Sequence, residues 1–118
     1  MQNKRKQGAL YERYAAEYLE RQGLEILEEN YRCRMGEVDL IARDGSCLVF
    51  IEVKYRSGRT DGFAAEAVNL RKQKVIGKVA AYYLMTHFDT VDVQCRFDVV
   101  AFDGKTMHWY RNAFSYSE

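Results

Sequence analysis

Apolar residues recur along the chain at two different spacings, which predict where its helices and strands lie. Over residues 6–22, tyrosine, alanine and leucine recur at helical spacing, and Gly23 is typical of a helix end. Shorter apolar runs bounded by turn residues follow, as expected of strands. Asn69 is a favoured residue type at a helix start, and helical spacing resumes after it. The predicted elements are a helix over 6–22, strands over 24–33, 36–43 and 47–56, a helix over 70–86, and strands over 91–102 and 106–110.

The order of these elements, αβββαββ, predicts an α/β fold. Strand 47–56 is apolar on both faces, which indicates a central position in a mixed sheet with helices on either side. The 118 residues are enough for one domain with a substantial core and too few for two. We therefore expect a single domain over residues 1–118.

Charged residues interrupt two of the apolar strands. Asp39 lies within strand 36–43, and Glu52 and Lys54 lie within strand 47–56. A buried charge without a partner costs several kcal/mol, so ionisable groups in such strands are usually paired, metal-bound or catalytic. These three residues are therefore the first candidates for a functional site.

A predicted hairpin brings the three charges together. The Asp-Gly-Ser sequence at 44–46 is a turn signal, so the two strands should pair antiparallel. Depending on which two of these residues form the loop, Asp39 lies either directly opposite Glu52 or one diagonal step away. Both registers put the two carboxylates on one face, and the two-residue period of a strand adds Lys54 to that face.

Each predicted helix also carries a charge on its apolar side. Glu12 falls at the centre of the apolar arc of the first helix, and Lys72 projects onto the buried stripe of the second. Structural explanations exist for both, since lysines snorkel and buried glutamates form ion pairs. Both helix charges are predicted to point inward, as the strand charges do, and this favours one site shared by all of them.

Asp39 and Glu52, with a glutamate from a packed helix, provide the oxygen ligands that Mg²⁺ prefers. A metal-held water of lowered pKa is a nucleophile for a phosphodiester, and Lys54 can orient it or stabilise charge on phosphorus. This chemistry predicts hydrolysis of nucleic acid. A buried salt-bridge network without chemistry remains open on spacing alone.

Basic residues in the middle of the chain are candidates for contacts with nucleic acid. The net charge is only +1, so a surface that binds a polyanion must be local. A solvated helix face is the alternative for the lysines after residue 72. The candidate nucleic-acid-binding residues are Arg56, Arg59, Arg71, Lys72 and Lys74.

Several functional classes have little support in the sequence. No apolar run approaches the length of a membrane helix, and no phosphate-binding glycine loop is present. Three widely spaced cysteines indicate reduced thiols and a cytoplasmic protein. The tyrosines of the two helices could stack bases, but their spacing is more typical of core packing.

These residues resemble the Asp then Glu-x-Lys signature of the PD-(D/E)xK nuclease superfamily, which has an αβββαβ core. The chain is similar in particular to the uncharacterised bacterial YraN-type family, related in fold to archaeal Holliday-junction resolvases. The resemblance covers about residues 8–102. The segments that carry it read GEVDLIA at 36–42, FIEVKYR at 50–56, RK at 71–72 and RFDVV at 96–100.

The resemblance implies a restriction endonuclease-like fold and a site for Mg²⁺ or Mn²⁺. It implies that Asp39, Glu52 and Glu12 are metal ligands and that Lys54 is the catalytic lysine. The implied substrate is DNA, with branched or otherwise structured DNA favoured, and a homodimer is expected because two symmetric sites can cut two strands.

Two further functions remain open, because related folds also serve as inactive binding modules. One is a nucleic-acid-binding module without cleavage. The other is a protein-interaction domain whose buried charges are structural.

Overall fold

The computed structural model describes residues 4–56, 68–88, 93–104 and 106–115. It contains two helices and one sheet of five strands, in the predicted order αβββαββ. The elements are α1 (Lys4–Arg21), β1 (Glu25–Cys33), β2 (Gly36–Asp44), β3 (Cys47–Arg56), α2 (Leu70–Phe88), β4 (Cys95–Asp103) and β5 (Thr106–Phe114).

The sheet is mixed and has β3 at its centre, as predicted. Its strands lie in the order β1-β2-β3-β4-β5. The pairs β1-β2, β2-β3 and β4-β5 are antiparallel, whereas β3 and β4 are parallel. The parallel pair is joined through α2, which is the kind of crossover that parallel strands need.

Apolar side chains on the two faces of the sheet build two cores. In β3, Leu48 and Phe50 pack in the core that includes α2, whereas Val49 and Ile51 pack in the core that includes α1. This alternation explains why residues 48–51 of β3 are all apolar, since both faces of the strand are covered there. Neither helix, within the described ranges, is long and apolar enough to cross a membrane.

The start of α2 is fixed by a cap and by a close approach to β2. The Asn69 carbonyl oxygen Oδ1 accepts a hydrogen bond from the backbone N–H of Lys72 at 2.9 Å, which confirms the predicted cap. Gly36, at φ 141°, has no side chain at a point where a Cβ would lie 2.6 Å from Val75 Cγ1. The glycine therefore lets the first turns of α2 lie against β2.

The strand boundaries differ from the prediction at the C-terminal side of the sheet. Within the described residues the strand predicted over 91–102 begins at Cys95, and residues 91 and 92 lie outside them. β5 continues to Phe114 instead of ending at residue 110. Residues 111–114 have no alternating pattern, but Phe114 pairs with Phe97 and stacks on its ring at 5.2 Å. Tertiary contact therefore extends the strand beyond its sequence signal.

Asp98 is a fully buried carboxylate at an irregularity between β4 and β5. The register shifts between Phe97 and Val99, so that Asp98 pairs with Ile51 of β3 but has no direct partner in β5. Its carboxylate accepts instead from the Asn112 backbone N–H at 2.8 Å, from Trp109 Nε1 at 2.9 Å and from Arg96 Nε at 3.1 Å. Both carboxylate oxygens are therefore satisfied, as a structural buried charge requires.

We predict that Asp98→Asn lowers the free energy of unfolding by about 3 kcal/mol, because it leaves the Arg96 guanidinium without its buried counter-ion. Urea unfolding followed by circular dichroism measures the change. The matched control is Glu25→Gln, which removes an exposed ion pair with Arg43 and should cost less than about 1 kcal/mol. Equal losses in the two variants would contradict the structural assignment of Asp98.

Candidate active site

The candidate site lies where β2 and β3 separate. The turn at residues 45–46 selects the register in which Asp39 stands opposite Glu52, one of the two predicted registers. The ladder between the two strands ends at the preceding pair, Leu40 and Ile51. Beyond that pair, β2 stays paired with β1 as far as Gly36, and β3 stays paired with β4 through its last residue. A split therefore opens inside the sheet.

Two carboxylates make hydrogen bonds across this split in place of the missing backbone ladder. The Val53 backbone N–H donates to Asp39 Oδ2 at 2.8 Å. In the other direction, the Asp39 backbone N–H bonds to the Glu52 side chain and opposes the rise of its pKa. The exchange fixes both carboxylates at the opening of the split.

Two lysines from different elements approach the same oxygen of Glu52. Lys72 Nζ, from the first turn of α2, lies 3.6 Å from Glu52 Oε2, and Lys54 Nζ, from β3, lies 3.9 Å from it. The Glu52 side chain is 3% exposed, whereas the lysine side chains are 36% and 32% exposed. Lys72, predicted to contact nucleic acid, thus has its ammonium beside the buried carboxylate, as the helical pattern had indicated.

Glu12 approaches the split from α1, on the other side of the sheet. It lines an open cleft of about 530 Å³ together with Asp39. Its carboxyl also interacts with the side chains of Asp39 and Asn30. The inward position predicted for Glu12 is thereby confirmed. The other residues that line the cleft are Gly8, Ala9, Asn30, Arg32 and Glu37.

Burial raises the pKa of each of the three carboxyl groups. Desolvation, followed by the charge of Asp39, raises the pKa of Glu52 to about 8, although both lysines oppose the shift. The same two causes raise the pKa of Glu12 to about 7. Desolvation also raises the pKa of Asp39, against the Val53 amide and the lysines. Burial and the neighbouring acidic groups therefore favour the protonated form of these carboxyl groups.

One oxygen of Glu12 and one of Glu52 are buried without a hydrogen-bond partner in the described part of the chain. This separates the cluster from Asp98, where every carboxylate oxygen is satisfied. A bare buried oxygen costs about 1–3 kcal/mol, which structural ion pairs avoid. The two bare oxygens indicate that the cluster is built for a positively charged ligand.

The donor set fits a partly hydrated divalent cation. Across the described residues there is no group of three or more His, Cys, Asp and Glu side chains placed to enclose a metal ion. Mg²⁺ is usually held by one or two carboxylates, with water and substrate phosphate completing its shell. Asp39 interacts with both Glu12 and Glu52, so these three carboxyl groups are the candidates for one or two ligands to such an ion.

The remaining predicted basic residues fall into two groups. Arg71 and Lys74 are exposed on α2, and Arg71 lines a second cleft of about 360 Å³ with Lys72 and Glu37. The Arg56 side chain and all of Arg59 lie outside the described residues.

Sequence reasoning missed Asn30 and Arg32, which line the Glu12 cleft from β1. Asn30 has a φ of 54°, a left-handed conformation that asparagine tolerates better than most residues. An asparagine inside an otherwise regular strand pattern was the available signal. Nothing in the spacing of β1 singles out Arg32.

The chain matches the sequence profile of a family described as "Uncharacterised protein family UPF0102" over residues 11–102. A UPF0102 protein of Lachnoclostridium phytofermentans is 45% identical over 112 residues, which cover 95% of each chain. One from Cupriavidus metallidurans is 49% identical over 110 residues, covering 92% of this chain and 81% of the relative. One from Shewanella pealeana is 43% identical over 114 residues, covering 97% and 100% respectively.

We predict that metal-free protein loses stability as the pH rises from about 5 to about 8, and that Glu52→Gln reduces this loss. Because the pKa of Glu52 is raised in the folded state, the folded protein keeps this proton up to about pH 8, whereas the unfolded chain releases it near the ordinary pKa of glutamate. Between these two pKa values the unfolded state binds fewer protons, so a rise in pH favours unfolding. At about pH 8, the free energy of unfolding of Glu52→Gln should exceed that of wild type by about 2 kcal/mol. The variant removes the buried charge, and the two partly exposed lysines that it leaves behind can turn to water.

Urea unfolding at several pH values in the presence of a chelator measures this effect. Glu20→Gln, an exposed carboxylate on α1, is the control and should keep the wild-type pH dependence. A large loss of stability in Glu52→Gln at every pH would instead identify the cluster as a structural ion-pair network.

Proposed function

The chain belongs to the uncharacterised protein family UPF0102, and we propose that it is a metal-dependent endonuclease that hydrolyses phosphodiester bonds in DNA. The observation that carries the proposal is the pair of bare buried oxygens on Glu12 and Glu52, beside Asp39 and two lysines. A cluster of acidic oxygens with raised pKa values and adjacent ammonium groups is suited to a cation and a phosphate together.

The arrangement of the strand charges supports membership of the PD-(D/E)xK nuclease superfamily. Asp39 comes from one strand and Glu52-x-Lys54 from its antiparallel neighbour, at the point where the two strands separate. Glu12 supplies an acidic group from the preceding helix. This arrangement supports the assignment of these residues that the resemblance of the sequence implies.

Asp39, Glu52 and Glu12 would hold Mg²⁺ or Mn²⁺. When bound there, such an ion supplies charge to a phosphate and lowers the pKa of a water. Glu52, which is almost fully buried, holds its carboxylate rigidly through the Asp39 amide. Lys54, which is partly exposed, can turn its ammonium from Glu52 to a phosphate oxygen and stabilise the negative charge of the transition state.

Exposed cations on α2 support binding to the DNA backbone. Arg71 lines a cleft together with Lys72, so it can contact a phosphate near the cleaved one, and Lys74 lies exposed on the same helix. Phosphate contacts of this kind make affinity fall steeply with salt. The resemblance to Holliday-junction resolvases further supports branched DNA as substrate and a homodimer. The three widely spaced cysteines support a cytoplasmic location.

A binding module without cleavage is the second candidate. The observation that favours it is the double pairing of Glu52 with Lys54 and Lys72, which compensates part of the carboxylate charge without a metal. In that case DNA binding would depend on salt and not on a divalent cation.

We predict that Mg²⁺ or Mn²⁺ raises the melting temperature of the wild-type protein by about 3–5 °C at saturating concentration, because the ion binds only the folded cluster. Differential scanning fluorimetry measures the shift. Glu52→Gln should abolish it, and Glu20→Gln should retain it. An equal shift in all three proteins would place the ion elsewhere.

We predict that purified protein cleaves junction, flap or linear DNA with Mg²⁺ or Mn²⁺, and that Asp39→Asn and Lys54→Ala each lower the rate about 10²–10³-fold. The variants remove a metal ligand and a group that stabilises the transition state. Gel assays with labelled DNA measure the rates.

The matched control for cleavage is Glu17→Gln, which changes an exposed charge on α1 and should cleave at the wild-type rate. Cleavage that survives both site substitutions would reject the assigned site. Salt-dependent binding with no cleavage by any metal-loaded protein would favour the binding module.

A further inference from the structure

Strand β2 changes the face that it presents to each helix at the candidate site. Side chains two residues apart in a strand normally share a face of the sheet. Val38, however, packs in the core that includes α2, whereas Leu40 packs in the core that includes α1. Asp39 lies at the change, and it interacts both with Glu12 of α1 and with Glu52, which α2 approaches from the other side.

Strand β1 changes its face at the same level of the sheet, and a left-handed residue lies at the change. Glu29 forms an ion pair with Arg13 of α1, whereas the Tyr31 ring packs edge-on against Tyr83 of α2 at 5.1 Å. Asn30 lies between them with a φ of 54°. This conformation, which asparagine tolerates better than most residues, accounts for the change of face in β1.

The register places the two changes opposite each other. The strand pairs that flank this level are Glu29 with Leu40 and Tyr31 with Val38. Asn30 therefore lies opposite Asp39, and both strands change face together. If β1 kept a regular alternation here, the side chains on one side of Asn30 would lose their contacts with the helix that they now meet.

The Asn30 side chain contacts the site from the α1 side. It lines the cleft that contains Glu12 and Asp39, and its hydrogen bond to the Glu12 carboxyl opposes the rise of the Glu12 pKa. Oε1 of the same carboxyl is buried and has no hydrogen-bond partner among the residues that the structure describes. The amide of Asn30 therefore holds the carboxyl while one of its oxygens stays available.

We propose that Asn30 is a positioning residue of the candidate site: its left-handed backbone lets β1 follow the change of face in β2, and its side-chain amide holds the Glu12 carboxyl beside Asp39. The inference rests on the proposed function, and it adds a residue that orients a cation ligand without touching the cation. Loss of a residue that orients a metal ligand typically lowers metal affinity about 10–100-fold.

Two substitutions separate the backbone role of Asn30 from its side-chain role. Asn30→Gly keeps the left-handed conformation and removes the amide, whereas Asn30→Ala removes the amide and also disfavours the conformation. Asn112 provides the matched control, because it is an exposed asparagine with a φ of 53° in β5. Its substitution by glycine or alanine changes the same backbone conformation at a different place in the sheet.

The first measurement is the affinity for Mn²⁺, followed by electron paramagnetic resonance of the free ion. Asn30→Gly should bind Mn²⁺ about tenfold more weakly than wild type, equivalent to about 1.4 kcal/mol, and Asn112→Gly should stay within about twofold. Because Asn30 acts through Glu12, the double variant of Asn30→Gly and Glu12→Ala should bind no more weakly than Glu12→Ala alone.

The second measurement is urea unfolding in the presence of a chelator, which needs no metal. Asn30→Ala should raise the unfolding equilibrium constant about tenfold relative to Asn30→Gly, as Asn112→Ala should relative to Asn112→Gly. The effects of Asn30→Gly and Glu12→Ala should not multiply, and the double variant should differ from their product by about threefold or more. Circular dichroism confirms that each variant folds.

Equal Mn²⁺ affinity of Asn30→Gly and wild type would overturn the inference and leave the metal site in place. Equal stability of Asn30→Ala and Asn30→Gly would overturn the role of the backbone. If wild-type protein binds no Mn²⁺, the nuclease proposal fails and the chelator experiment decides the inference. Effects of Asn30→Gly and Glu12→Ala that multiply there would overturn it, and coupled effects would support it.

Discussion

The candidate site depends on the early end of the ladder between β2 and β3. At that point the Asp39 carboxylate accepts the Val53 N–H that a backbone carbonyl would otherwise take. The bond satisfies a buried donor and at the same time holds an acidic side chain at the split. This bond holds the Asp39 carboxylate in place beside Glu52. The side chains that come from the two helices approach the carboxylates fixed in this way.

At two places in this sheet a carboxylate accepts a backbone N–H where strand pairing is interrupted, and the two places differ in how fully the carboxylates are hydrogen-bonded. Asp98, at the irregularity between β4 and β5, is surrounded by donors and closes its gap completely. At the β2-β3 split, Glu12 and Glu52 each keep a bare oxygen. The comparison within one molecule distinguishes a carboxylate whose hydrogen bonds stabilise the fold from carboxyl groups that the surrounding protein leaves partly unsatisfied.

Local sequence predicted the fold and the main site residues because their signals are local. Hairpin chemistry at residues 44–46 fixed the register of Asp39 against Glu52, and helical spacing turned Glu12 and Lys72 inward. The extension of β5 to Phe114 depends on stacking against Phe97, which lies far away in the sequence. Such features arise from tertiary packing, which no window of sequence contains.

The parallel pairing of β3 with β4 also affects how the cluster is assembled during synthesis. A nascent chain that has emerged only as far as β3 contains Asp39, Glu52 and Lys54, but Lys72 follows later, in the crossover. The second ammonium reaches Glu52 only when α2 has docked on the sheet. The pairing of Glu52 with its second lysine therefore depends on the docking of an element that follows the rest of the cluster in the chain.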